Sequence, residues 1–128
     1  MPVRYLSPEW IDAYNAAVAA DDAVHKALKG KSAVIQMVVT DAPGGEIHYS
    51  LSIGDGTAAA SVGDAPDAEV TIRQSYETSA QVNRGELDGA KAFTQGKVKI
   101  TGKMMKMMQL RGPLAEVQKV LDTIDTEY

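Results

Sequence analysis

The stretch IHYSLSI, residues 47–53, alternates apolar and polar side chains, and this alternation does most to decide the class of fold. Successive side chains of a strand point to opposite faces, so the pattern predicts a strand with one buried face. Residues 33–40 before it are almost continuously apolar, which is typical of a central strand, and DAPGG at 41–45 predicts the turn between the two. Residues 57–62 and 68–74 predict two more strands, and we expect the four to be mostly antiparallel.

Helix signals precede this block of strands. Ser7 and Pro8 place a capping hydroxyl before a proline at the first helical position, which predicts a helix over residues 7–20. A cap at Asp21 or Asp22 predicts a second, short helix.

Helix signals return after the strands. Residues 75–83 and 88–93 predict two helices, and KVKIT at 97–101 alternates between flanking glycines, which predicts a fifth strand. Apolar residues then recur at helical spacing after Pro113, so we expect the last helix to begin near that proline.

These elements predict a single α+β domain over residues 1–128. The expected architecture is a five-stranded, mostly antiparallel sheet covered by helices on one face.

The sequence lacks the patterns of common catalytic and metal sites. It has no cysteine, which excludes disulfides and thiolate zinc sites. Its two histidines, His25 and His48, have no neighbour at metal-ligand spacing, and we expect His48 to be solvated on the polar face of its strand. We therefore expect no catalysis, no cofactor and no metal. Paired aspartates still leave open a small steroid-isomerase-like enzyme with an Asp base and Tyr49 or Tyr76 as oxyanion donors.

Net charge and hydropathy limit the classes of partner that we expect for this chain. The net charge of −4 argues against nucleic acid. Residues 1–10 contain no apolar stretch of signal-peptide length, and no segment approaches the roughly 20 apolar residues that span a bilayer, so we expect the cytoplasm. Residues 91–111, however, contain six basic residues and no acidic one.

Four methionines stand out within that basic segment, in KMMKMM at residues 103–108. Placed on a helix, they fan over about 160°, with Lys103 and Lys106 on the other side. Methionine is flexible and suits a surface that must fit apolar partners of different shapes. The alternative is that these side chains fill ordinary core beside the sheet.

Several stretches resemble the sterol carrier protein type 2 domain family. The most specific is AFTQGKVKITG at 92–102 with Met104, joined by AEVTI at 68–72, while the glycine-rich turns between 44 and 68 fit more loosely. The resemblance covers about residues 30–124 and implies a sheet covered by helices that enclose an apolar tunnel. It also implies binding of sterols, fatty acyl chains or phospholipids, with no cofactor and no chemistry in this domain.

We therefore expect non-catalytic binding of an apolar small molecule, and its intracellular transfer or presentation. An accessory or protein-interaction module of the same fold, with a reduced pocket, is an alternative. The side chains expected to face the lipid are Phe93, Ile100, Met104, Met105, Met108, Leu121 and Ile124. The lysines expected to meet an anionic membrane transiently are Lys97, Lys99, Lys103 and Lys106, with the apolar sides of both elements facing inward.

Overall fold

The chain builds one five-stranded sheet with helices packed against it, as seen in a computed structural model that describes residues 2–128, apart from the side chain of Ala90. The helices are α1 (Pro8–Ala19), α2 (Asp22–Leu28), α3 (Tyr76–Asn83), α4 (Gly89–Thr94) and α5 (Met104–Leu121). The strands are β1 (Val3–Arg4), β2 (Ala33–Ala42), β3 (Gly45–Gly54), β4 (Thr57–Val62), β5 (Val70–Ser75), β6 (Val98–Gly102) and β7 (Thr126–Glu127). Within residues 2–128, no helix has the length and apolar content needed to cross a membrane.

Side-chain caps fix the starts of three helices. The Ser7 hydroxyl accepts a hydrogen bond from the Trp10 N–H, the Asp21 carboxylate accepts one from Val24, and the Ser75 hydroxyl accepts one from Thr78. Each cap satisfies a backbone donor that the first helical turn leaves unpaired. The three helix starts predicted from these residues are confirmed.

The sheet has the strand order β4-β3-β2-β5-β6. The β4–β3, β3–β2 and β5–β6 pairs are antiparallel, and β2–β5 is parallel, which confirms the predicted mostly antiparallel sheet. Because β4 and β5 lie on opposite sides of the β2–β3 pair, residues 63–69 must cross a face of the sheet. The main hydrophobic core lies on the opposite face and includes Ile35, Val39, Leu51 and Val70.

Gln36 ties this crossover to the sheet. Its buried side-chain amide donates to the carbonyl oxygen of Gly63 at 3.3 Å and to that of Tyr49 at 3.1 Å, and it accepts from the Ala65 N–H at 2.6 Å. Buried polar groups are nearly always paired, and here strand β3 and the crossover supply the partners. That explains a glutamine in an otherwise apolar central strand.

The predicted start of the last helix is wrong. Helix α5 begins at Met104 and continues through Pro113 to Leu121. Proline has no N–H to donate to the carbonyl four residues back, so its sequence position favoured a helix start. The structure keeps one helix because buried side chains on both sides of the proline, Leu110 before it and Val117 after it, anchor the same face in the core.

Candidate functional site

The inward face of α1 is aromatic. Trp10, Tyr14 and Val18 are buried, and α1 lies over β4, where Ala58 and Ala60 are the buried residues. These small side chains leave room for the large rings above them. Asn15 fixes the contact, because its side-chain amide donates to the Ala60 carbonyl at 2.9 Å and accepts from the Ala60 N–H at 2.6 Å.

The aromatic region continues to both termini. The Tyr5 ring contacts the rings of Trp10 and Tyr128, with centroids 5.1 Å and 4.9 Å away, and Trp10 contacts Tyr14 and Tyr49. Strands β1 and β7 pair in parallel, so the first and last residues of the described chain lie together over this region. Sequence reasoning missed this cluster, although the density of aromatic residues in positions 5–14 was an available signal.

A cleft of about 390 Å³ opens beside the C-terminal residues. Leu121 and Ile124 supply its apolar wall, and Asn83, Arg84 and Tyr128 stand among its polar side chains. The Asn83 amide donates to the Tyr128 hydroxyl, and the Arg84 guanidinium lies 4.9 Å from the centre of the Tyr128 ring. Burial is the main cause of the raised pKa of Tyr128, so this phenol stays neutral.

The side chains predicted to face a lipid fall into separate groups. Leu121 and Ile124 meet in the C-terminal cleft, and Ile100 packs against the core. Met104 and Met105 line a second open cleft of about 510 Å³ with Lys103, Lys106, Gln109 and Gly102. Phe93 is 43% exposed. Whether all of them contact a ligand stays a prediction, as does the tunnel.

The four methionines of residues 103–108 do not all face the core. Met107 packs against the core, but Met104, Met105 and Met108 are exposed, by 39%, 71% and 68%. The expectation of an inward apolar side is therefore wrong for these three residues, because the core-facing side of α5 is set by Leu110 and Val117, which point away from them around the helix.

Two of the four lysines predicted to dock on membranes are already paired. The ammonium nitrogens of Lys103 and Lys106 lie 3.2 Å and 2.8 Å from one carboxylate oxygen of Glu69. Hydrogen bonds from Lys106 and then Lys103 lower the pKa of Glu69. Within residues 2–128, Lys97 and Lys99 form no ion pair.

The isomerase alternative requires a buried carboxylate facing the pocket. Among residues 2–128 no Asp or Glu side chain is buried, and the buried polar residues are Gln36, Ser50, Thr78, Ser79 and Asn83. The same part of the chain contains no cluster of three or more His, Cys, Asp or Glu residues able to hold a metal ion. The isomerase hypothesis therefore lacks the feature on which it depended.

Comparison with known proteins gives a family and a fold. The sequence model of the SCP-2 sterol transfer family matches residues 12–115. A conserved hypothetical protein of Thermus thermophilus, described as a possible sterol carrier protein, is 20% identical with a TM-score of 0.80, and the alignment covers 98% of this chain and 92% of that one. A crystal structure of sterol carrier protein 2 is also 20% identical with a TM-score of 0.80, over 94% and 99% of the two chains.

A third similar structure is of palmitated SCP2L2 from Aedes aegypti. It is 18% identical with a TM-score of 0.59, and the alignment covers 95% of this chain and 100% of that one. At these identities the structural likeness establishes the fold. No curated protein matches the chain.

Proposed function

Because the chain belongs to the SCP-2 sterol transfer family, we propose that it binds a lipid between its helices and its sheet and presents or transfers that lipid without transforming it chemically. Members of this family bind apolar lipids. A ligand that loses about 400 Å² of apolar surface would gain on the order of 10 kcal/mol before the cost of association is subtracted. That gain is enough for micromolar binding with little polar recognition.

The C-terminal cleft is the observation that carries the proposal. Its apolar wall consists of Leu121 and Ile124, two of the side chains expected from the sequence to meet the ligand. Leu121 belongs to the main core and Ile124 packs against it, so this wall of the cleft borders the core. The palmitated Aedes aegypti protein makes a long acyl chain a reasonable first probe.

Titration with a fluorescent fatty acid and a fluorescent sterol tests the proposal, together with native mass spectrometry of the protein as purified. We expect saturable binding that unlabelled lipid competes away. Ile124→Trp should fill the cleft and weaken binding, whereas Ala115→Trp adds the same ring at an exposed position of α5 and should not. A folded protein that binds none of the probes and carries no lipid would contradict the proposal.

Delivery requires contact with a membrane, and Lys97 and Lys99 are the candidates whose charges are unpaired within the described chain. Each basic residue near an anionic surface contributes about 1 kcal/mol, and salt screens most of it. Changing both to Gln should slow transfer from anionic vesicles at low salt. Changing the exposed Lys26 and Lys29 to Gln alters the net charge equally and is the matched control. Equal slowing by both pairs of changes would exclude a specific docking role.

A second candidate function is that of a protein-interaction module with a reduced pocket. The observation in its favour is the exposure of Met105 and Met108, since adaptable apolar side chains on a surface often mark a partner site. Normal folding without lipid binding, combined with a defined complex that Met105→Lys disrupts, would favour this function over lipid transfer.

A further inference from the structure

The outward side of α5 is apolar from Met104 to Ala115. A helix at a protein surface normally turns charged and polar side chains towards water. Here the outward side carries three methionines, a glycine and an alanine, which lie within an arc of about 100° around the helix axis. They are Met104, Met105, Met108, Gly112 and Ala115, all of them exposed, and we call this surface the methionine face.

The protein core contacts α5 through its opposite side. Leu110 and Val117 are buried there, and α1 and α2 pack against α5. Met105 and Met108 each expose more than two-thirds of their surface, so no residue of the described chain covers them. Large apolar side chains grouped at a surface mark a binding site for an apolar partner.

The sequence around the methionine face is basic. Residues 91–111 contain six basic residues and no acidic one, whereas the remainder of the chain contains seven basic and seventeen acidic residues. Arg111 borders the face on α5 itself, and only Lys103 separates α5 from strand β6, which carries the exposed Lys99. An anionic surface would therefore attract this end of the molecule and repel the remainder, which sets the orientation of approach.

Two acidic side chains beside the methionine face are paired with lysines. One carboxylate oxygen of Glu69 lies 3.2 Å from the ammonium nitrogen of Lys103 and 2.8 Å from that of Lys106, so one negative charge meets two positive ones. Glu116, near the C-terminal end of the face, lies 3.1 Å from Lys119. Neither carboxylate leaves an uncompensated negative charge that would repel an anionic surface.

This basic charge selects among the possible occupants of the face. A second copy of the chain would bring two basic segments together, and like charges at close range repel. A bilayer that contains anionic lipid offers complementary charge at its surface and disordered acyl chains beneath, to which flexible methionines can adapt. Helices that lie in the plane of a membrane bury an apolar face at the edge of the acyl chains and keep basic residues beside it.

We propose that the methionine face is the surface through which this protein enters a membrane. Met105 and Met108 penetrate to the acyl chains of an anionic bilayer, while Arg111 and Lys99 stay among the head groups. The inference rests on the proposed function and names the part of the molecule that meets the donor or acceptor membrane. It adds insertion of apolar side chains to the attraction of lysines.

A fluorescent label tests insertion directly. The chain contains no cysteine, so a single introduced thiol can be labelled without background. The environment-sensitive fluorophore NBD is attached to Met108→Cys and, as the matched control, to Ala23→Cys at an exposed position of α2. With vesicles of equimolar phosphatidylcholine and phosphatidylserine, emission from position 108 should shift to the blue and be quenched by nitroxide groups on the acyl chains. Position 23 should show neither effect.

Replacement of one methionine tests the contribution of the apolar side chain. Met105 and Val62 are equally exposed, at 71%, but Val62 lies on the edge strand β4. Met105→Ser should weaken binding to the same vesicles by about tenfold, the effect of losing one buried apolar side chain, whereas Val62→Ser should leave it unchanged. Vesicles of phosphatidylcholine alone should bind the unmodified protein much more weakly, because they lack the anionic charge.

Three results would overturn the inference. The label at position 108 could stay in water on vesicles that have bound the protein, or Met105→Ser and Val62→Ser could weaken binding equally. A blue shift that grows with protein concentration in the absence of vesicles would identify a second copy as the occupant. Binding of a fluorescent fatty acid without insertion would contradict this inference alone, and insertion without binding of any lipid probe would contradict the proposed function alone.

Discussion

His48 links two segments of the chain through one imidazole ring. Its Nδ1 lies 2.5 Å from a carboxylate oxygen of Asp64 in the crossover, and its Nε2 lies 2.7 Å from one of Glu46. Arg73 approaches the other oxygen of Glu46 at 3.7 Å. Hydrogen bonds to Glu46 and then to Asp64 raise the pKa of His48, and the bond with His48 lowers that of Glu46. Both shifts favour the charged forms.

The stability of the fold should therefore depend on pH through this residue. A raised histidine pKa contributes stability that is complete below the unfolded value of 6.5 and is lost as pH rises through the folded value. In denaturant unfolding at a series of pH values, we expect Asp64→Asn to lose less stability with rising pH than the wild type does. Asp67→Asn, an exposed neighbour on the same loop, should leave it unchanged. Equal pH profiles for wild type and Asp64→Asn would contradict the role of the ring.

The pattern of strand residues 47–53 predicted the polar face on which His48 lies, but not its partner. Alternation specifies the face of a side chain because it is a local property. The contact with Asp64 depends on how the crossover lies over the sheet, and that follows from the non-local pairing of β5 with β2. A solvated histidine was the expectation, and the structure instead gives a half-exposed ring held by two carboxylates.

At the scale of elements, the junction between β6 and α5 sets the position of the methionines. Gly102 has a φ of +107°, and a Cβ there would collide with the backbone of Glu69. The Lys103 N–H donates to the carbonyl oxygen of Glu69 at 3.0 Å, which holds the chain close at this point. Gly112, inside α5, has no atom within 4 Å of a Cβ placed on it.

Alanine should therefore have opposite effects at these two glycines. Gly112→Ala should raise the free energy of unfolding by about 0.5–1 kcal/mol, because alanine favours a helix interior. Gly102→Ala should lower it by about 2 kcal/mol or more through the collision and the positive φ. Urea unfolding measures both changes. A neutral result at Gly102 would show that the β6–α5 junction relaxes easily.

Helices and strands were predicted well where the sequence contained a capping residue or a regular spacing of apolar residues. Ser7, Asp21 and Ser75 marked helix starts that the structure confirms. The prediction failed at Pro113, where a local preference for a helix start was overridden by burial of α5 on both sides of the proline. Of the side chains predicted to face a lipid, Leu121 and Ile124 line one cleft, although α5 ends at Leu121 and Ile124 lies beyond it. The exposure of Met105 depends on how α5 is rotated against α1 and α2.

At the scale of the whole molecule, backbone hydrogen bonds join the two ends of the described chain. The Val3 N–H donates to the Asp125 carbonyl at 2.9 Å, and the Tyr5 N–H donates to the Glu127 carbonyl at 2.8 Å. Tyr5 also reaches Ser79, 74 positions away in sequence. No pattern within a window of ordinary length can predict contacts between the two ends of the chain, so the aromatic residues of positions 5–14 did not by themselves indicate that the termini cover them.

Tyr128 should control how firmly these ends are joined. Its ring contacts Tyr5 and lies beside the Arg84 guanidinium, and such contacts contribute about 0.5–1.5 kcal/mol each. We expect Tyr128→Ala to reduce the free energy of unfolding by about 1–2 kcal/mol, since the ring is partly solvated. Hydrogen exchange at the Val3 and Tyr5 amides should accelerate much more than at Val39 in the central strand, because only the former depend on β7. Tyr128→Phe keeps the ring and should preserve most of the protection. Unchanged exchange at Val3 and Tyr5 in Tyr128→Ala would show that the backbone pairing holds the termini without the ring.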